Sequence, residues 1–161
     1  VRDALFRPVA ILWDGRRTCV RLEGEAADVT AQSDDAALDE GAPPTFPAGP
    51  HRGRISVAPG RVPALRSGLD QAGVRWLAEV GVGTVHAAAD DVAALASARE
   101  VAAHHGGWML REAGASQLDP FGIALPNREL LLRVKTAFDP DGKMNPGRLP
   151  GLDPRRAGKS S

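Results

Sequence analysis

Apolar and polar residues alternate early in the chain, and a period of two predicts strands. Residues 9–13 are an apolar run, Asp14-Gly15 is a turn signal, and Thr18, Val20 and Leu22 alternate with Cys19, Arg21 and Glu23. That pattern is a β-hairpin. An acidic, weakly patterned helix is expected over 25–38, before residues 41–53, GAPPTFPAGPHRG, where four prolines forbid regular structure and predict a linker loop. Ile55 and Val57 open a strand. Pro63 suits the first turn of a helix carrying Leu65, Leu69 and Ala72, which Gly73 ends. Val74, Trp76, Ala78 and Val80 alternate as a strand, Gly81-Val82-Gly83 turns the chain, and 84–88 return. Asp90 reads as the cap of a helix that turns Val92, Leu95, Ala96 and Ala102 inward. Gly106-Gly107 close it, and a strand at 108–111 precedes the terminal helix.

That helix, 127–138, gathers Leu130, Leu131, Val134, Ala137 and Phe138 on one face, with Asn127 as N-cap and Glu129 in the first turn. Phe138 is its last core-facing position, so truncating it is expected to cost about 3–5 kcal/mol. Pro140 stops the helix, Asp141-Gly142 turns, and Pro146 holds Asn145 extended, its amide turned outward. The order ββ-α-β-α-ββ-α-β-α predicts an α+β fold, with helices packed on one face of a mostly antiparallel sheet.

At 161 residues the chain has room for one core, here residues 1–150 with a short tail at 151–161. Twenty basic and twenty acidic residues cancel, so no charge draws it toward nucleic acid or an anionic membrane surface. A single cysteine, Cys19, excludes an internal disulfide and a cysteine-based zinc site. No apolar run could span a bilayer, so a cytoplasmic setting is expected, with any membrane association coming through partners. Val1 opens a chain that reads as already under way, with an upstream half missing.

Gly81-Val82-Gly83 lacks the third glycine of a dinucleotide fingerprint, having His86 there, and a tight turn needing positive φ accounts for both glycines. His104 and His105 end a helix, where they complement its dipole. Cys19 lies on a strand as an inert residue, and the Arg16-Arg17 and Arg155-Arg156 pairs read as solvated charge.

The ending LLLRVKTAFDPDGKMNPGRLP resembles the C-terminus of FAD-linked oxidases of the vanillyl-alcohol-oxidase type, in which the Asn of the closing NPG lies beside the flavin. With PVAILWDGRRTCVRLEG, RISVAPGRVPAL and AEVGVGTVHAA in the same order, residues 8–150 look most like the FAD-binding subunit of bacterial glycolate oxidase. The resemblance implies a ferredoxin-like cap (substrate) domain, FAD as cofactor, and cofactor contacts from Asn145, Pro146 and Gly147. It also implies as partners an N-terminal FAD-binding domain, absent from this sequence, a catalytic flavoprotein, an iron-sulfur subunit and a small 2-hydroxy-acid substrate.

EVGVGTVH at 79–86 is similar to the metal-binding HxGDGNxH segment of FAD-dependent 2-hydroxy-acid dehydrogenases, with His86 at the second histidine and Glu79 replacing the first. Val82 and Thr84 stand where Asp and Asn would be, and Glu112 in REAGA matches a later Glu. The catalytic candidates are therefore His86, to orient or deprotonate the substrate hydroxyl, and Glu112. The departures imply a degraded site without metal, in which Glu79, His86 and Glu112 still share one pocket. Local readings stand beside these: Glu79 as a strand-face charge, His86 as a hydrogen-bonded ring, Glu112 as a strand-end residue. Two functions follow: the C-terminal cap of an FAD-dependent 2-hydroxy-acid oxidase or dehydrogenase, or a non-catalytic assembly module docking a flavoprotein or iron-sulfur partner.

Overall fold

Alternation and glycine punctuation build the elements at nearly the expected places. A computed structural model describes residues 5–122 and 127–144. Strands β1 (Ala10–Trp13) and β2 (Thr18–Arg21) form the hairpin, followed by helix α1 (Ala26–Asp35). Then come β3 (His51–Ser56), a short 3-10 turn (Pro59–Arg61), α2 (Val62–Gln71), β4 (Arg75–Glu79), β5 (Thr84–Ala89), α3 (Val92–His104), β6 (Trp108–Ala113) and α4 (Arg128–Phe138).

All pairings are antiparallel, in the order β2-β1-β4-β5-β3-β6. The segment from β3 to β6 reads β-α-β-β-α-β, and its four strands take the ferredoxin-like order in which the last and first lie side by side. The hairpin extends this sheet beyond β4, with Trp13 meeting Trp76 edge-on at 5.2 Å between ring centroids. At its turn Asp14 accepts from the Arg16 and Arg17 amides at 2.9 and 2.7 Å, and these bonds hold its carboxyl below the usual range.

One sheet face is the core. Ile55, Ala78, Val85, Ala87, Ala89 and Met109 pack there against Val62, Leu65 and Leu69 of α2 and Leu95, Ala98 and Ala102 of α3. Helices α2 and α3 approach closely because a glycine stands at their contact: a Cβ on Gly68 would lie 2.8 Å from Val101 Cγ1 and Cγ2. The α+β expectation, with helices on one face of an antiparallel sheet, is met. No described helix is long and apolar enough to cross a membrane.

Four local expectations change. The cap of α3 is Asp91, whose side chain accepts from the Ala94 amide at 2.9 Å, and Asp90 is engaged elsewhere. Only Gly83 of the glycine turn has positive φ, +75°, where a Cβ would fall 2.0 Å from the Val57 carbonyl oxygen. Asn127 precedes α4 in a left-handed conformation and makes no side-chain capping bond. Phe138 is not core-facing: it is 79% exposed, and α4 has no buried residue.

Candidate functional site

Register fixes which side chains share the face opposite the helices. Because side chains alternate along a strand, Arg75, Leu77 and Glu79 of β4 lie with Thr84, His86 and Ala88 of β5. Arg52, Arg54 and Ser56 of β3 join them, as do Leu110 and Glu112 of β6. Across β3 to β6 this face therefore carries three arginines, two carboxylates and one imidazole.

His86 and Glu79 meet directly. Leu77 is the cross-strand partner of His86, so Glu79 stands diagonally from it, and His86 Nε2 lies 2.7 Å from Glu79 Oε1. A carboxylate only accepts, so Nε2 donates, and in the neutral ring this tautomer leaves the lone pair on Nδ1. Nδ1 has no hydrogen-bond partner among the described residues.

Glu112 is brought to the same face but not to the imidazole. It sits where the β3–β6 register shifts, its Oε1 3.6 Å from Arg54 Nε. With β3 lying between β5 and β6, it is two strand spacings from His86, about 10 Å. The expected single pocket for Glu79, His86 and Glu112 thus becomes a close pair and an outlying carboxylate separated by Arg54. Among the described residues no three potential metal ligands converge. Asn145, Pro146 and Gly147, the cofactor-contact residues implied by resemblance, lie outside the described residues.

Sequence reasoning missed the covering segment. Instead of a free linker, the proline-rich stretch crosses this open face: the Phe46 ring stands edge-on to His86 at 4.9 Å, and the backbone continues past Arg75 into β3. Arg75 donates to the Ala48 carbonyl oxygen from Nε and Nη2, at 3.2 and 2.9 Å, and grips both carboxylate oxygens of Asp90 at 2.8 Å each. Asp90 is held below the usual carboxylate range by those bonds from Arg75. A Cβ on Gly49 would lie 2.9 Å from Arg75 Nη2 and 3.4 Å from Ala88 Cβ, so the chain passes tightly here. Leu77 and Ala88, although on the side away from the helices, are fully buried.

Arg52 and Arg54 escaped notice because β3 begins at His51, inside the stretch read as loop. Their signal was the charged–small–charged–apolar run RGRI, a two-faced strand pattern that neighbouring prolines obscured.

The tail before residue 145 is organised by Asp139, only 4% exposed. It pairs with Lys135 and accepts from the Lys143 and Met144 amides at 2.7 and 3.0 Å, while Lys135 Nζ also donates to the Met144 carbonyl oxygen at 2.7 Å. The Lys135 bond, aided by the two amides and opposed by desolvation, holds the Asp139 carboxyl below its usual range.

No family model matches the chain, and neither a curated protein nor a solved structure is significantly similar to it.

Proposed function

We propose that this chain is the C-terminal cap of an FAD-dependent enzyme that oxidises small 2-hydroxy acids, covering the flavin and supplying part of the substrate pocket. The observation carrying this reading is the Glu79–His86 pair on the open face of a ferredoxin-like sheet. It joins the ordered sequence resemblance described above. Oxidation of a 2-hydroxy acid to a 2-oxo acid removes the hydroxyl proton and a hydride from the α-carbon. His86 Nδ1 is the proton acceptor in this proposal, with Glu79 fixing the tautomer and stabilising the imidazolium that forms. Phe46 forms a wall that limits water at the imidazole.

A bound flavin supplies the hydride acceptor, through its own chemistry. The described residues do not fit the whole dinucleotide. At the glycine turn, where a phosphate cradle would need free amides, Val82 and Gly83 both donate to the Glu79 carbonyl oxygen, at 3.3 and 3.0 Å. Holding FAD is accordingly the task of an N-terminal flavin-binding domain.

The reading as an assembly module has its own support in α4, whose Leu130, Leu131, Val134 and Phe138 are exposed. Combining the chain with an N-terminal flavin-binding half separates the two. A cap gives turnover of a 2-hydroxy acid that is lost in His86→Ala with flavin content unchanged. An assembly module leaves turnover indifferent to His86.

A further inference from the structure

Among the described residues, one cation of the open sheet face has no short contact, and it stands directly beside the imidazole. We infer that Arg54 receives the carboxylate of the 2-hydroxy acid, an assignment that rests on His86 facing the substrate hydroxyl. Arg54 and His86 are cross-strand partners in the β3–β5 pairing. Directly opposed residues have Cα atoms about 4.5–5.5 Å apart and side chains on one face. In a 2-hydroxy acid the hydroxyl and carboxylate sit on adjacent carbons, so the base and anion receptor must be neighbours. This register supplies that adjacency.

The other ionic groups of the face argue by elimination. Arg75 is committed to Asp90 and the Ala48 carbonyl, and Glu79 to His86. Arg54 meets Glu112 only through Nε at 3.6 Å, longer than a hydrogen bond, and its side chain is 49% exposed. A guanidinium presents its donors as a planar fork that a carboxylate fits in bidentate fashion. An entering carboxylate exchanges the long Glu112 contact for two short bonds. Arg52, one strand repeat away on the same face, adds positive field without an ion-pair partner among the described residues. Glu112 then acts as the competitor that occupies Arg54 in the empty site, and it touches no reacting atom.

The test is titration of the chain with glycolate and with its neutral counterpart glycolamide, following the His86 ring and Arg54 side-chain resonances by NMR. Glycolate is expected to perturb both sets, and glycolamide neither. Arg54→Met should weaken glycolate binding about 10- to 100-fold, Arg54→Lys should restore part of it, and Glu112→Gln should strengthen it by removing the competitor. A merely structural arginine would not produce that last gain. The assignment is overturned if glycolate fails to perturb the wild-type chain, if glycolamide binds as well as glycolate, or if Arg54→Met binds glycolate undiminished. Glycolate binding through Arg54 without His86-dependent turnover in the flavin-reconstituted protein would sink the oxidation reading and leave this carboxylate site standing.

Discussion

Asp139 shows how one carboxylate governs a stretch of chain. Its carboxyl is depressed in the folded protein by the Lys135 ammonium and two backbone amides. A depressed carboxylate contributes order that is full above its unfolded pKa, about 3.9, and is lost as pH falls through the lower folded value. The Lys143 and Met144 amides should therefore resist hydrogen exchange down to about pH 4 and lose protection below it. In Asp139→Asn that acid transition should vanish, with weaker protection at neutral pH. An unchanged exchange profile would mean that the turn is held by something else. The sequence offered the FDPDG turn signal, but the reach of Asp139 to residues 143 and 144 depends on how the chain doubles back. The contrast between Leu95 and Phe138 is equally local. Leu95 is fully buried between α3 and the sheet, so Leu95→Ala should cost about 2–5 kcal/mol. Phe138→Ala at its exposed position should stay within about 0.5 kcal/mol. Denaturant unfolding of both variants compares them, and equal losses would contradict the exposed placement of α4.

Among the elements, the proline-rich segment changes most in meaning. Four prolines mark where regular structure is impossible but not where an extended strand of chain lies, because its partners, Arg75 and His86, are distant in sequence. Segments β4, β5 and α3 were legible because periodicity and glycine punctuation agreed locally. The amphipathic face of α4 was legible too, but its environment was not: a helix's apolar stripe says that something should cover it and not what. Arg75→Ala removes both bonds to the Ala48 carbonyl and the bidentate grip on Asp90. Limited proteolysis within residues 41–50 should then accelerate while the sheet stays folded by circular dichroism. A cleavage rate equal to wild type would show that Phe46 and the prolines hold the segment unaided.

For the whole molecule, a ferredoxin-like sheet with helices on one side leaves its other side available for chemistry. The order of elements sufficed to read that architecture, since α2 and α3, the helices that pack on the sheet, each follow their strand by a short connection. The pairing of Glu79 with His86 followed from the hairpin register once the turn at Gly83 was fixed. Arg54 between His86 and Glu112 was not readable, because it requires β3 to enter between β5 and β6, a nonlocal arrangement. The central claim is that this chain caps a flavin held by another domain and contributes His86 to the oxidation of a 2-hydroxy acid. Its most direct test is flavin content and glycolate turnover of the purified chain, alone and joined to an N-terminal flavin-binding half, with His86→Ala alongside. The account predicts a chain without stoichiometric FAD when alone, and a joined protein that holds FAD and turns over glycolate only with His86 present. Stoichiometric FAD on the isolated chain, or full glycolate turnover by the joined His86→Ala protein, would contradict it.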